Sequence, residues 1–264
     1  MYQVSIRGTD RVMYVNPKDR RGGRMIRFSG LSQPRVTNFW RHSVNALKPS
    51  IVVDAGVNYG EVLLSSEYPA DTVIAAIEAN EMLLPYLGRS IEEHPNASQI
   101  QIVHALVSDE DKEKASFFVN KLHSGLSSAH PEYSKSSRQV ELPTTTIDSI
   151  FKDRDVNRDT LLFKMDIEGY EWHALRGMKR LLTQCRTVVG CIEFNFAYLH
   201  SKNIDTAEFL FYLKQSFIVC TVNRRGQLVE FTDPVNEVPK YFALDKGSND
   251  LMLLSRRDLF DLLK

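Results

Sequence analysis

From residue 51 onward, short apolar runs of strand length alternate with stretches of helical length, and this rhythm constrains the fold more than any other feature of the chain. The runs are residues 51–53, 73–77, 100–107, 161–167, 188–194 and 217–222. They are too continuously apolar for strands with one wet face, so both faces must be covered. Helical stretches lie between several of them. Residues 60–68 follow the first run, and 85–93 follow the second, with Leu87 and Ile91 four apart. Residues 168–184 carry Trp172, Leu175, Met178 and Leu182 on one stripe, and 205–215 open at Asp205 with Glu208 three residues on, a capping pattern. At the end the alternation stops. Residues 217–222 pass through the turn chemistry of 223–226 into 227–231, and 250–255 adds a further strand, so antiparallel strands close the sheet. The expected fold is α/β: a Rossmann-like, seven-stranded, mostly parallel sheet with helices on both faces and an antiparallel C-terminal strand pair.

Residues 1–50 follow another pattern. Residues 12–15 and 25–28 alternate around a basic segment containing Gly22 and Gly23, which predicts a β-hairpin. Residues 34–47 then place Val36, Trp40, Val44 and Leu47 on one helical face, and Pro49 stops the helix. The chain therefore divides into an N-terminal extension, 1–50, on the substrate side or at an interface, and a doubly wound domain, 51–264.

Thirty-three Lys and Arg balance thirty-three Asp and Glu. A chain without basic excess is no general nucleic-acid binder. No apolar run approaches the ~18 residues of a membrane span, and the first residues lack the apolar block of a signal peptide. Cys185, Cys191 and Cys220 have no metal-ligand spacing and read as reduced thiols, so a cytoplasmic location is expected.

The strongest local signal is Val52-Val53-Asp54-Ala55-Gly56-Val57-Asn58-Tyr59-Gly60-Glu61. A buried strand ends at an acid, turns through Gly56 and Gly60, and meets the next element with unpaired N–H groups, a layout that admits a ligand against the backbone. The dinucleotide fingerprint G-x-G-x-x-G is not met, because Asn58 stands where its second glycine belongs. An acid before the first glycine repels a pyrophosphate and attracts a cation. Asp54, Gly56, Asn58 and Gly60 thus favour S-adenosyl-L-methionine, which bears an ammonium and a sulfonium, over a nicotinamide dinucleotide. Glu78 ends the second run, where a carboxylate can accept from both ribose hydroxyls. After the third run, the backbone at Ala105 can meet an adenine edge. Asp109 is either a partner for the adenine amino group or part of a solvated charged turn.

These residues resemble the FkbM-type family of class I S-adenosylmethionine-dependent methyltransferases. Residues 54–60 are similar to its opening motif, and Phe163-Lys164-Met165-Asp166-Ile167-Glu168-Gly169-Tyr170-Glu171, continuing to Leu175 and Gly177, is the most specific match. Smaller similarities are Ser124-Gly125-Leu126-Ser127-Ser128, Thr145-Thr146-Ile147-Asp148 and Ile192-Glu193-Phe194. The resemblance spans about residues 51–255 and implies a methyltransferase sheet and methylation of a hydroxyl on a sugar, glycan or natural product.

On the acceptor side, Lys164 and Asp166 alternate onto one face of a strand, and a lysine there needs a carboxylate partner. Asp166, Glu168 and Glu193 gather at the carboxyl edge of adjacent strands, where open α/β sheets bind ligands. One of them can take the proton of an acceptor hydroxyl, with Asp166 the foremost candidate, or the set can hold Mg²⁺ through oxygen ligands. Glu171 fits the acidic first turn of a helix. His123 and His130 flank residues 124–128, expected as a mobile loop, and are weaker candidates for a base. Phe39 and Trp40 could line a lid but fit ordinary helix packing better. The basic residues between 20 and 27 either contact an anionic acceptor or stay solvated.

Two other readings compete. A methyltransferase fold can serve as a non-catalytic S-adenosylmethionine-binding module. Tyr198 and Lys202 have the Y-x-x-x-K spacing of short-chain NAD-dependent oxidoreductases, but the glycine pattern is wrong for that cofactor and Cys185 stands where the serine is needed.

Overall fold

The structure is a computed structural model that describes residues 1–120, 122–127, 137–244 and 249–264. The chain opens with two short strands, β1 (Tyr2–Ser5) and β2 (Val12–Val15), paired antiparallel. Residues 25–28, expected as the second hairpin arm, instead end a helix, Arg20–Arg27, with Phe28 as its C-cap, and the partner of β2 is β1. Asp19 caps the helix by accepting from Gly22 N. Gly22 is there for contact, since a Cβ would lie 2.0 Å from the Asn16 carbonyl oxygen. The helix Pro34–Leu47 follows as expected.

The main sheet is built from β3 (Ile51–Ala55), β4 (Val73–Ile77), β5 (Ile100–Val103), β9 (Thr160–Met165), β10 (Thr187–Glu193), β11 (Ile218–Val222), β12 (Leu228–Phe231) and β13 (Asp250–Leu254). A small second sheet holds β6 (Leu106–Val107), β7 (Lys112–Asn120) and β8 (Ser137–Thr145). The main sheet has eight strands in the order β12-β11-β13-β10-β9-β3-β4-β5. The five from β10 to β5 pair in parallel, and β13 lies antiparallel between β10 and β11. The expected doubly wound architecture is present; the stretch read at 227–231 forms β12, an antiparallel edge strand that brings the sheet to eight strands instead of the expected seven.

Period-two alternation divides the core into two layers. Val52, Ile74, Leu162 and Val189 face one layer, which also contains Val4, Ile6, Met13, Val36, Trp40 and Val44 from the first fifty residues. Ile51, Val53, Phe163, Met165 and Ile192 face the other, against Leu175, Leu181, Phe209 and Leu213. The composition change near residue 50 is therefore not a gap in packing. Trp40 is fully buried and donates to the Tyr68 hydroxyl at 2.9 Å, so it is a core residue and not part of a lid.

Several expected elements differ. Residues 60–68 form only a single 3₁₀ turn, Leu63–Ser65, because Gly60 takes a left-handed φ of +89° and breaks the entry into a helix. Residues 100–107 are two strands in different sheets, β5 and β6, separated where His104 Nε2 meets the Ala79 carbonyl at 3.1 Å. The stretch 168–184 is two helices, Glu171–Arg176 and Lys179–Gln184. They part at Gly177, where a Cβ would lie 2.0 Å from the Ser108 carbonyl oxygen. The pair β7 and β8 had not been expected. Its strands are charged and mostly half-buried or exposed, which removes the apolar signal. Among the described residues, no helix is long and apolar enough to cross a membrane.

Candidate active site

The strands from β10 to β5 run in one direction, so their carboxyl ends share an edge. A cleft of about 1080 Å³ of empty space, open to solvent, lies at that edge. Asp54, Gly56, Asn58, Glu78, Ala105, Lys164, Asp166, Glu168 and Glu193 all line it. Gly60 and Asp109 do not.

One wall is made by the turn after β3. Gly56 has φ +76° and passes so close to β9 that a Cβ would stand 1.9 Å from the Asp166 carbonyl oxygen. Asn58 also takes a left-handed φ, +52°, which asparagine tolerates better than most residues. Its N–H donates to Glu78 Oε2 at 2.8 Å, and Asn80 N donates to Glu78 Oε1 at 2.8 Å. Burial pushes the Glu78 carboxyl up to about 7 despite these two donors. Gly60 serves the turn itself, its Cα face closed by Leu64.

Asp54 and Lys164 are register partners on β3 and β9, with side chains 1% and 7% exposed. Lys164 Nζ lies 3.4 Å from Asp54 Oδ1 and 3.6 Å from Asp166 Oδ2. Burial works against its charge, but the two carboxylates outweigh it and the ammonium is held ionised above its ordinary range. The lysine thus has the carboxylate partner that the sequence demanded. Burial raises the Asp54 carboxyl, and its Oδ2 is buried without a hydrogen-bond partner.

The opposite wall is the loop after β9. Asp166 is half-buried; desolvation works against its charge, yet Lys164, then Arg21, and a hydrogen bond from Gln33 Nε2 at 3.3 Å pull its carboxyl below the ordinary value. Glu168 behaves oppositely. Burial and then the Asp166 charge raise it to about 8, partly countered by a hydrogen bond from Tyr198. It sits at φ +54°, and Gly169 follows at +99°. Glu193, at the tip of β10, is raised well above its usual range by burial and by Asp166 and Glu168, and its Oε2 is buried without a partner. One oxygen from each of Asp166, Glu168 and Glu193 lies within 4.8 Å of the others, a spacing a cation could bridge. Glu171 does not join them. It accepts from Ile167 N at 2.9 Å and Gly169 N at 3.4 Å, bracing the loop that carries Glu168.

Asp109 does not line the cleft; it meets His173 Nδ1 at 3.4 Å and Arg176 Nε at 3.7 Å. Ser124 is tied to Asp19. Asp19 Oδ2 accepts from Ser124 Oγ at 2.7 Å and from the Tyr59 hydroxyl at 2.9 Å, and its Oδ1 accepts from Ser124 N at 2.9 Å. Ser128 and His130 lie outside the described residues.

The sequence had offered the basic residues between 20 and 27, His123 and residues 124–128 for this roof, but not Met25, Gln33 or Phe117. Arg21, Met25 and Gln33 reach over the cleft from the first fifty residues, Phe117 from β7, and His123 and Gly125 from the following turn. The available signal was the acid Asp19 before a helix-compatible stretch, a capping pattern obscured by the two glycines.

A doubly wound sheet with a glycine turn after its first parallel strand, acids on the adjoining strand tips and an antiparallel finish is the class I methyltransferase fold. The chain belongs to the FkbM methyltransferase family: the model of the methyltransferase FkbM domain matches residues 48–217. A comparison with curated proteins gives no match. Similar solved structures include an O-methyltransferase from Bacillus cereus in complex with SAH, at 9% identity and TM-score 0.43, covering 85% of this chain and 82% of that one. The O-methyltransferase TomG from Streptomyces achromogenes, in complex with SAM, gives 11% and 0.44, with 84% and 80% covered. A methyltransferase from Geobacter sulfurreducens gives 10% and 0.45, with 89% and 86% covered.

Proposed function

We propose that this methyltransferase uses S-adenosyl-L-methionine to methylate a hydroxyl of a small-molecule or glycan acceptor, with Glu168 receiving the hydroxyl proton. The observation that carries this reading is the contrast across one cleft. Glu78 and the glycine turn form one wall, and the facing wall presents Asp166 held ionised beside Glu168 raised to about 8.

The residues fit the cofactor. Gly56 lets the turn pass close against the Asp166 backbone at the cleft, and the Asp54 carboxylate lines the cleft beside it. Glu78 would accept from the ribose hydroxyls with the lone pairs its two backbone donors leave free. The cofactor supplies a sulfonium-activated methyl group, so the chain's own task is alignment and proton removal. Asp166, ionised, would orient the acceptor hydroxyl. Glu168 is the better base because a pKa near the working pH combines an available carboxylate with real proton affinity. As the acceptor oxygen gains the methyl group, its proton passes to Glu168 and then to solvent at the cleft mouth.

A second reading rests on the mutual approach of Asp166, Glu168 and Glu193. These three would hold Mg²⁺, which would lower the pKa of the acceptor hydroxyl. The unpartnered Glu193 Oε2 fits such a ligand set. The free Cys185, Cys191 and Cys220 favour a reducing, cytoplasmic setting.

Incubation with S-adenosylmethionine and a panel of hydroxylated acceptors, read by mass spectrometry, should yield products heavier by one CH₂. The rate should rise with pH through about 8, as Glu168 loses its proton. Turnover insensitive to EDTA removes the metal reading, and a rate flat across that range removes Glu168 as base.

A further inference from the structure

Two cations in the cleft have different standing. Lys164 is clamped between Asp54 and Asp166, so its charge is already committed. Arg21 is not. Its side chain is only 16% exposed, and its Nε is buried without a hydrogen-bond partner. Its charge also bears on Asp166 and Glu168, but the carboxylate recorded nearest to it is Glu61, 3.7 Å from Nη2 and beyond hydrogen-bond length. Glu61 is occupied elsewhere, accepting from Ser32 Oγ and Gln33 N at 2.6 Å each.

His123 stands on the same wall with its Nδ1 also buried and unpartnered. Gly125 lies against both: a Cβ there would be 3.3 Å from His123 Cε1 and 3.7 Å from Arg21 Cδ. Arg21 Nε, on a planar cationic fork, and His123 Nδ1, a donor in its Nδ1–H tautomer, thus border one part of the cleft without a protein partner. A guanidinium of this kind matches a carboxylate or another oxyanion in a two-pronged contact.

We propose that Arg21 and His123 form an anion subsite in the cleft, which takes a carboxylate or comparable oxyanion of a bound ligand. This rests on the reading that the cleft holds S-adenosylmethionine and its acceptor. Two sources share that chemistry: the amino-acid carboxylate of the cofactor, and an acidic group on the acceptor.

Calorimetry on the full chain with S-adenosylhomocysteine and with its decarboxylated analogue separates them. If the cofactor carboxylate is the anion, the wild type prefers S-adenosylhomocysteine by tenfold or more, a difference of about 1.4 kcal/mol. Arg21→Met then abolishes the preference while binding the analogue as the wild type does, which also shows that the variant is folded. Arg21→Lys restores part of it, since charge returns without the fork. If the acceptor supplies the anion, Arg21→Met keeps that preference but loses turnover on acidic acceptors tenfold more than on neutral ones. The subsite is overturned if Arg21→Met changes neither ratio. A wild type that binds neither compound sinks the cofactor reading by itself. A sulfate titration then decides the subsite: a moving Arg21 ¹⁵Nε resonance supports it, and a still one overturns it.

Discussion

The two walls of the cleft are built by different means. The wall around Gly56, Asn58 and Glu78 comes from one contiguous stretch and the tip of the next strand, and its shape is fixed by backbone: positive φ angles, a close pass beneath Asp166, and N–H groups aimed at a carboxylate. The facing wall and roof are assembled from distant segments, namely the loop after β9, the tip of β10, the helix Arg20–Arg27 and the turn Ser124–Leu126, and side chains set their properties. The first arrangement suits a constant ligand met mainly by backbone. The second suits a ligand that differs from one enzyme to the next, because side chains can change without disturbing the sheet.

The comparison is broken most forcefully at Glu168. Glu168→Gln should lower methyl transfer about 10²–10⁴-fold while leaving S-adenosylhomocysteine affinity within a few-fold, measured by single-turnover kinetics and calorimetry. Retained turnover would mean that the variable wall does not supply the base.

At the constant wall the expected loss is in binding. Glu78→Gln should weaken S-adenosylhomocysteine by about tenfold or more, the value of a charged hydrogen bond. It should also alter the pH dependence of stability. The folded pKa of Glu78, about 7, lies above its ordinary 4.5. Its contribution is therefore complete below about 4.5 and is lost as pH rises through about 7. Denaturation curves of the apoprotein should flatten over that window in Glu78→Gln; an unchanged slope would place the burial elsewhere.

Asp19 sharpens the contrast, because it joins the two regions. It accepts from Gly22, Tyr59 and Ser124, tying the helix Arg20–Arg27 and the Ser124–Leu126 turn to the residue after Asn58. Asp19→Ala leaves those donors unpaired and should cost about 1–3 kcal/mol, seen in denaturation, with faster proteolysis of the roof. Asp109→Asn marks the small end. Its partners are His173 and Arg176 at a partly exposed site, so stability should change by less than about 0.5 kcal/mol and cofactor affinity not at all. A loss of S-adenosylhomocysteine binding there would return Asp109 to the adenine.

The same division explains what the sequence disclosed. The central strands were readable because burial on both faces leaves continuous apolar runs, and the glycine turn because its chemistry is contiguous. Lys164 revealed its need for a partner by standing in such a run. How the roof folds was not readable for the converse reason. Residues 20–27 are basic and contain two glycines, yet Asp19 and the close pass at Gly22 make them a helix. The strands β7 and β8 carry charge and half-burial, and their pairing is a long-range fact that no local pattern encodes. The proposed choice of Glu168 over Asp166 as base was also out of reach, since it rests on how Lys164 and Arg21 act on each carboxylate.

The most direct test of the central claim is a crystal structure of the chain with S-adenosylhomocysteine. The ribose should lie at Glu78, the adenine beside Ala105 and the sulfur facing Asp166 and Glu168. A nucleoside bound away from this strand edge, with the glycine turn untouched, would contradict it.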